Sequence, residues 1–155
     1  MRERIQQATK DAMKAGDKRR LSTLRLVTAA IKDRDIASRV DEKGQSTGRD
    51  RIEDPEIMTL LQKMIRQRRE SIEVYTQGGR QELADQEAEE IAVIEEFLPK
   101  QMSDSELTQA TSDVISELGA TGLKDMGRVM AKLKERFPGV MDIGKASAMV
   151  KDKLK

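Results

Sequence analysis

Between Asp54 and Pro99 the chain spells out a helical hairpin, and this segment limits the fold more than any other. Asp54-Pro55 reads as a capping aspartate with proline at the first helical position. From there Ile57, Leu60, Leu61, Met64, Ile65, Ile72 and Tyr75 recur on one side at about 100° per residue. Gly78-Gly79 stops that helix, and a second arm from about Gln81 must end before Pro99. So short a connection makes the two arms antiparallel.

The rest of the chain follows the same period. Charged residues make up 37% of the 155 and aromatics only 2%, which suits Leu/Ile/Met/Ala seams on helices better than a sheet. A first helix is expected over about Glu3–Ala15, stopped by Gly16, and a second from the Asp17 cap to about Ser38 with Leu21, Leu24, Val27, Thr28 and Ile31 as its seam. Residues 41–53, with two glycines, read as a mobile loop. Ser103 and Glu106 form a capping box ahead of a fifth helix that Gly119 closes. A sixth is expected over about Leu123–Phe137, and Asp142 caps a last one. The predicted fold is all-α: an N-terminal helical bundle, residues 1–99 with the hairpin at 54–98, then a small three-helix C-terminal domain, residues 102–155.

With no histidine and no cysteine, the chain excludes Ser-His-Asp and Cys-His catalysis, thiolate chemistry, disulfides and the usual zinc and haem sites. No residue set resembles a complete active site, so no catalytic residue, metal ligand or cofactor is expected. The N-terminus lacks the apolar core of a signal peptide and no long apolar run occurs. A cytoplasmic protein without a membrane partner is the expectation.

Charges intrude on the hairpin's apolar side. Arg68 falls in the middle of the first arm's seam, and Glu87 and Glu90 fall within that of the second, beside Leu83, Ile91, Ile94, Phe97 and Leu98. With the turn at Gly78-Gly79, Arg68 is level with a point between them, within about one helical turn of both. A semi-buried ion pair or triad of Arg68 with Glu87 and Glu90 is therefore expected. It would set helix register; an acid beside arginine is held ionised and makes a poor proton donor.

A net charge of +1 hides strong local imbalance. Residues 1–40 carry net +6 and residues 82–96 net −7. Lys18, Arg25 and Lys32 line the second helix seven apart; Lys63, Arg66 and Arg69 lie on the outer side of the third. In the sixth, Lys124, Arg128 and Lys132 repeat every four residues. Such rows can track a phosphate backbone, each contact releasing a counterion, although a solvated face is the plainer reading of any one row. Scarce aromatics disfavour base stacking and favour folded RNA over single strands, with no DNA specificity. Gly127 and Gly144, in helical segments, read as sites of close helix packing in preference to ligand approach, and Thr121-Gly122 offers free N–H groups to a phosphate.

Several blocks together resemble the GatB/YqeY family, specifically its free-standing YqeY-like members. They are Leu24-Arg25-Leu26 with Ala29-Ala30-Ile31-Lys32, the run from Lys63 to Ile72, and Gly78-Gly79-Arg80. Further on come Glu90-Ile91 with Phe97-Leu98-Pro99-Lys100-Gln101, and Gly119-Ala120 with Lys124-Asp125-Met126-Gly127-Arg128-Val129-Met130. The resemblance implies a helical bundle followed by a three-helix domain like the tail of the GatB subunit of glutamine-dependent tRNA amidotransferase, which helps hold tRNA. It brings with it a carbon–nitrogen ligase activity with glutamine as amido donor, but the large catalytic portion of that subunit has no counterpart here. The expected partners are tRNA or a tRNA-processing or aminoacylation enzyme, with Lys124, Arg128, Lys132 and Lys145 offering backbone contacts. A protein–protein adaptor, or an amidotransferase component active only in complex, is the alternative.

Overall fold

Seven α-helices and no β-strand make up the protein in a computed structural model that describes residues 1–155. The helices are α1 (Arg2–Ala15), α2 (Lys18–Ala37), α3 (Asp54–Gln77), α4 (Gln81–Glu95), α5 (Asp104–Leu118), α6 (Met126–Arg136) and α7 (Ile143–Leu154). They form two compact units, Met1–Leu98 and Pro99–Lys155. The all-α class follows from the spacing of the apolar residues.

In the first unit, Ile5 and Ala12 of α1, Leu24, Val27 and Ile31 of α2, the first half of α3, and Ile91 and Ile94 of α4 share one core. Each such Leu or Ile contributes about 1.5–3 kcal/mol by leaving water. Thr28, expected in the α2 seam, is exposed; Thr23 is buried instead, its hydroxyl donating to the Arg19 carbonyl at 3.2 Å. A threonine can turn inward where its own helix satisfies the hydroxyl.

Local signals fix the helix ends, with corrections. Gly16 and Gly119 take left-handed conformations that close α1 and α5, and the Ser103 and Asp142 side chains accept from Glu106 N and Lys145 N. At the start of α3, Glu53 rather than Asp54 is the capping position. Its N–H donates to Glu56 Oε2 at 2.8 Å, while Asp54 and Pro55 lie inside the first turn. Leu123–Asp125 form a 3-10 turn, so α6 starts later than the periodicity alone predicts.

Residues 41–53 are more structured than a loose loop. Asp41 Oδ1 accepts from the N–H groups of Lys43 and Gln45, Val40 and Ser46 form an isolated bridge, and Ile52 is buried. The anchor is Asp35, which takes both ends of the Arg2 guanidinium at 2.6 and 2.9 Å and the Ile52 N–H at 2.8 Å. Arg2 also donates to the Ile52 carbonyl at 2.9 Å. One ion pair thus ties α1, α2 and the approach to α3 together. The Arg2 hydrogen bonds hold the Asp35 carboxyl below its usual range.

The second unit has its own core from Leu107, Val114, Val129, Leu133, Met141, Ala146, Val150 and Leu154. Gln101 Nε2 donates to the carbonyls of Pro99 and Gly139, and Met102 N to that of Val140, so the entering strand of chain is tied to the α6–α7 turn.

Candidate nucleic-acid interface

Much of the basic charge in the first unit is already engaged. Arg19 pairs with Glu89, Arg20 with Glu96 at 2.7 Å, and Arg4 donates to the Glu96 carbonyl while its guanidinium lies 5.7 Å from the Phe97 ring centre. The acidic α4 segment therefore neutralises Arg19 and Arg20 of α2. On α3, Arg69 reaches Glu95 at 3.4 Å, whereas Lys63 and Arg66 stand exposed without an ion pair.

Inside the hairpin, Arg68 Nε donates to Glu90 Oε2 at 2.8 Å and a terminal nitrogen donates to the Met64 carbonyl at 3.1 Å. Glu87 lies close enough to feel both charges but hydrogen-bonds to neither. Burial, then the neighbouring Glu90, push its carboxyl above the ordinary range, and Arg68 offsets this only in part. Of the ion pair or triad expected, the structure forms the Arg68–Glu90 pair, with Glu87 as a neighbour outside the hydrogen bond.

The α6 row divides into unlike residues. Lys124 makes no ion pair and is exposed. Arg128 is held through Asp125 at 2.9 Å, with its side chain 57% exposed. Asp125 is buried and missing from the sequence-based set: its other oxygen accepts the Thr121 N–H at 3.0 Å. That backbone bond, then Arg128, hold its carboxyl below the usual range. The Thr121 N–H expected to be free for a phosphate is thus taken. The only local signal for Asp125 was its position three residues before Arg128. Lys132, half-buried, approaches Glu135 at 3.8 Å, and Lys145 at the start of α7 pairs with Asp104 of α5 at 3.0 Å.

Gly127 is exposed, and a methyl group added there meets no atom within 4 Å, so it is not a helix-packing glycine. Its neighbour one turn on, Ala131, is also exposed. Between Gly127 and Ala131 the outer side of α6 therefore carries little side-chain bulk, with Lys124 and Arg128 beside it and exposed Lys134 and Glu135 beyond. No three acidic side chains gather in a way that could hold a metal ion, and no helix is long and apolar enough to cross a membrane.

The family model described as Yqey-like protein matches residues 2–154. Among curated proteins, altered inheritance of mitochondria protein 41, mitochondrial, from Lachancea thermotolerans, is 31% identical over 111 residues. The match covers 70% of this chain and 54% of that protein, so the chain spans about half the length of this relative.

Proposed function

The chain belongs to the YqeY-like family, and from that premise we propose that it is an accessory module that holds folded RNA, tRNA foremost, by its phosphate backbone. The observation that carries this reading is the outer side of α6, where unpaired Lys124 and exposed Arg128 flank a backbone left bare at Gly127. Phosphates need cations that are not already neutralised and a surface they can approach closely. Lys124 meets both demands; Arg128, paired with Asp125 but with its side chain 57% exposed, meets the second. Lys132 and Lys145, each next to a carboxylate, contribute less. Lys63 and Arg66 supply a secondary patch on the first unit. The resemblance of the second unit to a tRNA-holding tail domain supports the same reading. Glutamine-dependent carbon–nitrogen ligation, where this chain takes part in it, belongs to a complex, and the cytoplasm is the compartment proposed for it.

The test is retention of total tRNA by the full chain across a salt series. Affinity should fall steeply with salt; Lys124→Ala should flatten the log–log slope by about one, and Arg128→Ala should flatten it by less because Asp125 already holds that cation. Lys145→Ala should change it little. Absence of binding at low salt would leave the adaptor reading, and release of ammonia from glutamine by the isolated chain would overturn the view of a non-catalytic module.

A further inference from the structure

The block Leu24-Arg25-Leu26 with Ala29-Ala30-Ile31-Lys32 lies on α2, which has two apolar sides where folding needs one. Leu24, Val27 and Ile31 are buried in the core. On the opposite side Lys18, Ser22, Arg25, Leu26, Ala29, Lys32 and Ile36 are exposed, with Leu26 at 48% and Ile36 at 51%, and exposed Asp33 is the one acid among them, against three cations. Cations on this helix divide the same way. Arg19 and Arg20 pair with α4, while Lys18, Arg25 and Lys32 meet no carboxylate; Arg25 touches only Met13 Sδ at 3.9 Å. A shallow groove of about 340 Å³ is lined by Lys18, Leu21, Ser22, Arg25 and Leu26. Both the cation row and the row Ser22, Ala29, Ile36 repeat every seven residues, the period of a helix–helix seam.

We propose that the outer side of α2 docks an acidic amphipathic helix of a partner protein. Its apolar side chains would cover Leu26, Ala29 and Ile36, and its carboxylates would run along Lys18, Arg25 and Lys32. Charge complementarity selects the acidic partner. A nucleic-acid backbone would use the cations but leave Leu26 and Ile36 in water. A bilayer needs a broad apolar face, and here three cations interrupt a narrow strip on a helix whose other side is committed to the core. A second copy docked through the same face would set these cations against each other.

Amide chemical shifts of the full chain, labelled with nitrogen-15, give the test. The probe is a synthetic helix with leucine at heptad positions a and d and glutamate at e and g. Shifts should concentrate in residues 18–36, and affinity should fall as salt rises. Leu26→Asp with Ile36→Asp, and separately Arg25→Glu with Lys32→Glu, should each weaken binding about tenfold or more. Leu26→Ala with Ile36→Ala, which keeps helix propensity, should weaken it in the same direction. Any of four results would overturn the proposal: no shifts in 18–36 at millimolar peptide, equal binding of the peptide with lysine in place of glutamate, perturbation of the same residues by phosphatidylserine vesicles or total tRNA, or sedimentation showing a dimer that Leu26→Asp dissolves.

Discussion

Arg68 is a cation kept partly from water by one carboxylate and one carbonyl, and this arrangement predicts how it fails. Arg68→Ala would leave Glu90 and Glu87 side by side in a half-buried seam without a counter-charge. The expected loss is about 1–3 kcal/mol in urea unfolding, below that of a fully buried pair because Glu90 keeps 31% of its exposure. Glu87 predicts a pH effect of definite sign. Its folded pKa is raised above the ordinary 4.5, so in the window just above that value the folded state retains a proton that the unfolded chain has lost. Stability therefore falls as pH rises through this window. Glu87→Gln should be more stable than the parent at pH 7 and show a flatter pH dependence between about pH 4 and 7, read from thermal melts. Asp35 has the opposite sign: its stabilisation is present above the unfolded value and fades as pH falls through the depressed one. The Arg2–Asp35–Ile52 junction was illegible in sequence because its members lie far apart in the chain, with no local pattern linking them. Nothing local distinguishes Asp35 from Asp33, which is exposed.

At the scale of elements, helical content and most boundaries were legible because caps and stops act over three or four residues. Ser103 with Glu106, Gly16 and Gly119 are cases in which a few atoms decide the outcome. The start of α3 was misread by one residue, since an acid at position 53 and another at 56 compete with the Asp-Pro signal. The stretch at 41–53 is the loop expected, but its internal ties were illegible: composition reports glycine content, not the side-chain bonds of Asp41 or the anchor at Asp35. In α6, spacing located the cation row but could not rank it. Ranking required knowing which lysines have a carboxylate nearby, and those carboxylates come from other helices or from the next turn of the same helix.

For the whole molecule, each unit possesses its own core, which predicts independent folding. A fragment 99–155 should show helical circular dichroism and a cooperative melt. A fragment 102–155 should melt at a lower temperature, since it lacks Gln101 and its bond to the Gly139 carbonyl at 2.8 Å. Part of the charge in the first unit is likewise settled internally, Arg2 by Asp35 and Arg19 and Arg20 by Glu89 and Glu96, which leaves Lys18, Arg25 and Lys32 among the cations of the stretch 1–40 still without a carboxylate.

Gly127 has one more consequence. Alanine would fit there without contact and would firm the helix by less than the roughly 1 kcal/mol seen in helix interiors, since position 127 lies in the first turn, so Gly127→Ala should raise the melting temperature. The native chain forgoes that rigidity in the opening turn of α6, and amide protons there should exchange with solvent before those of the turns around Val129 and Leu133. Whatever meets this helix finds its most pliable stretch first, and can settle against it with the chain itself yielding to fit.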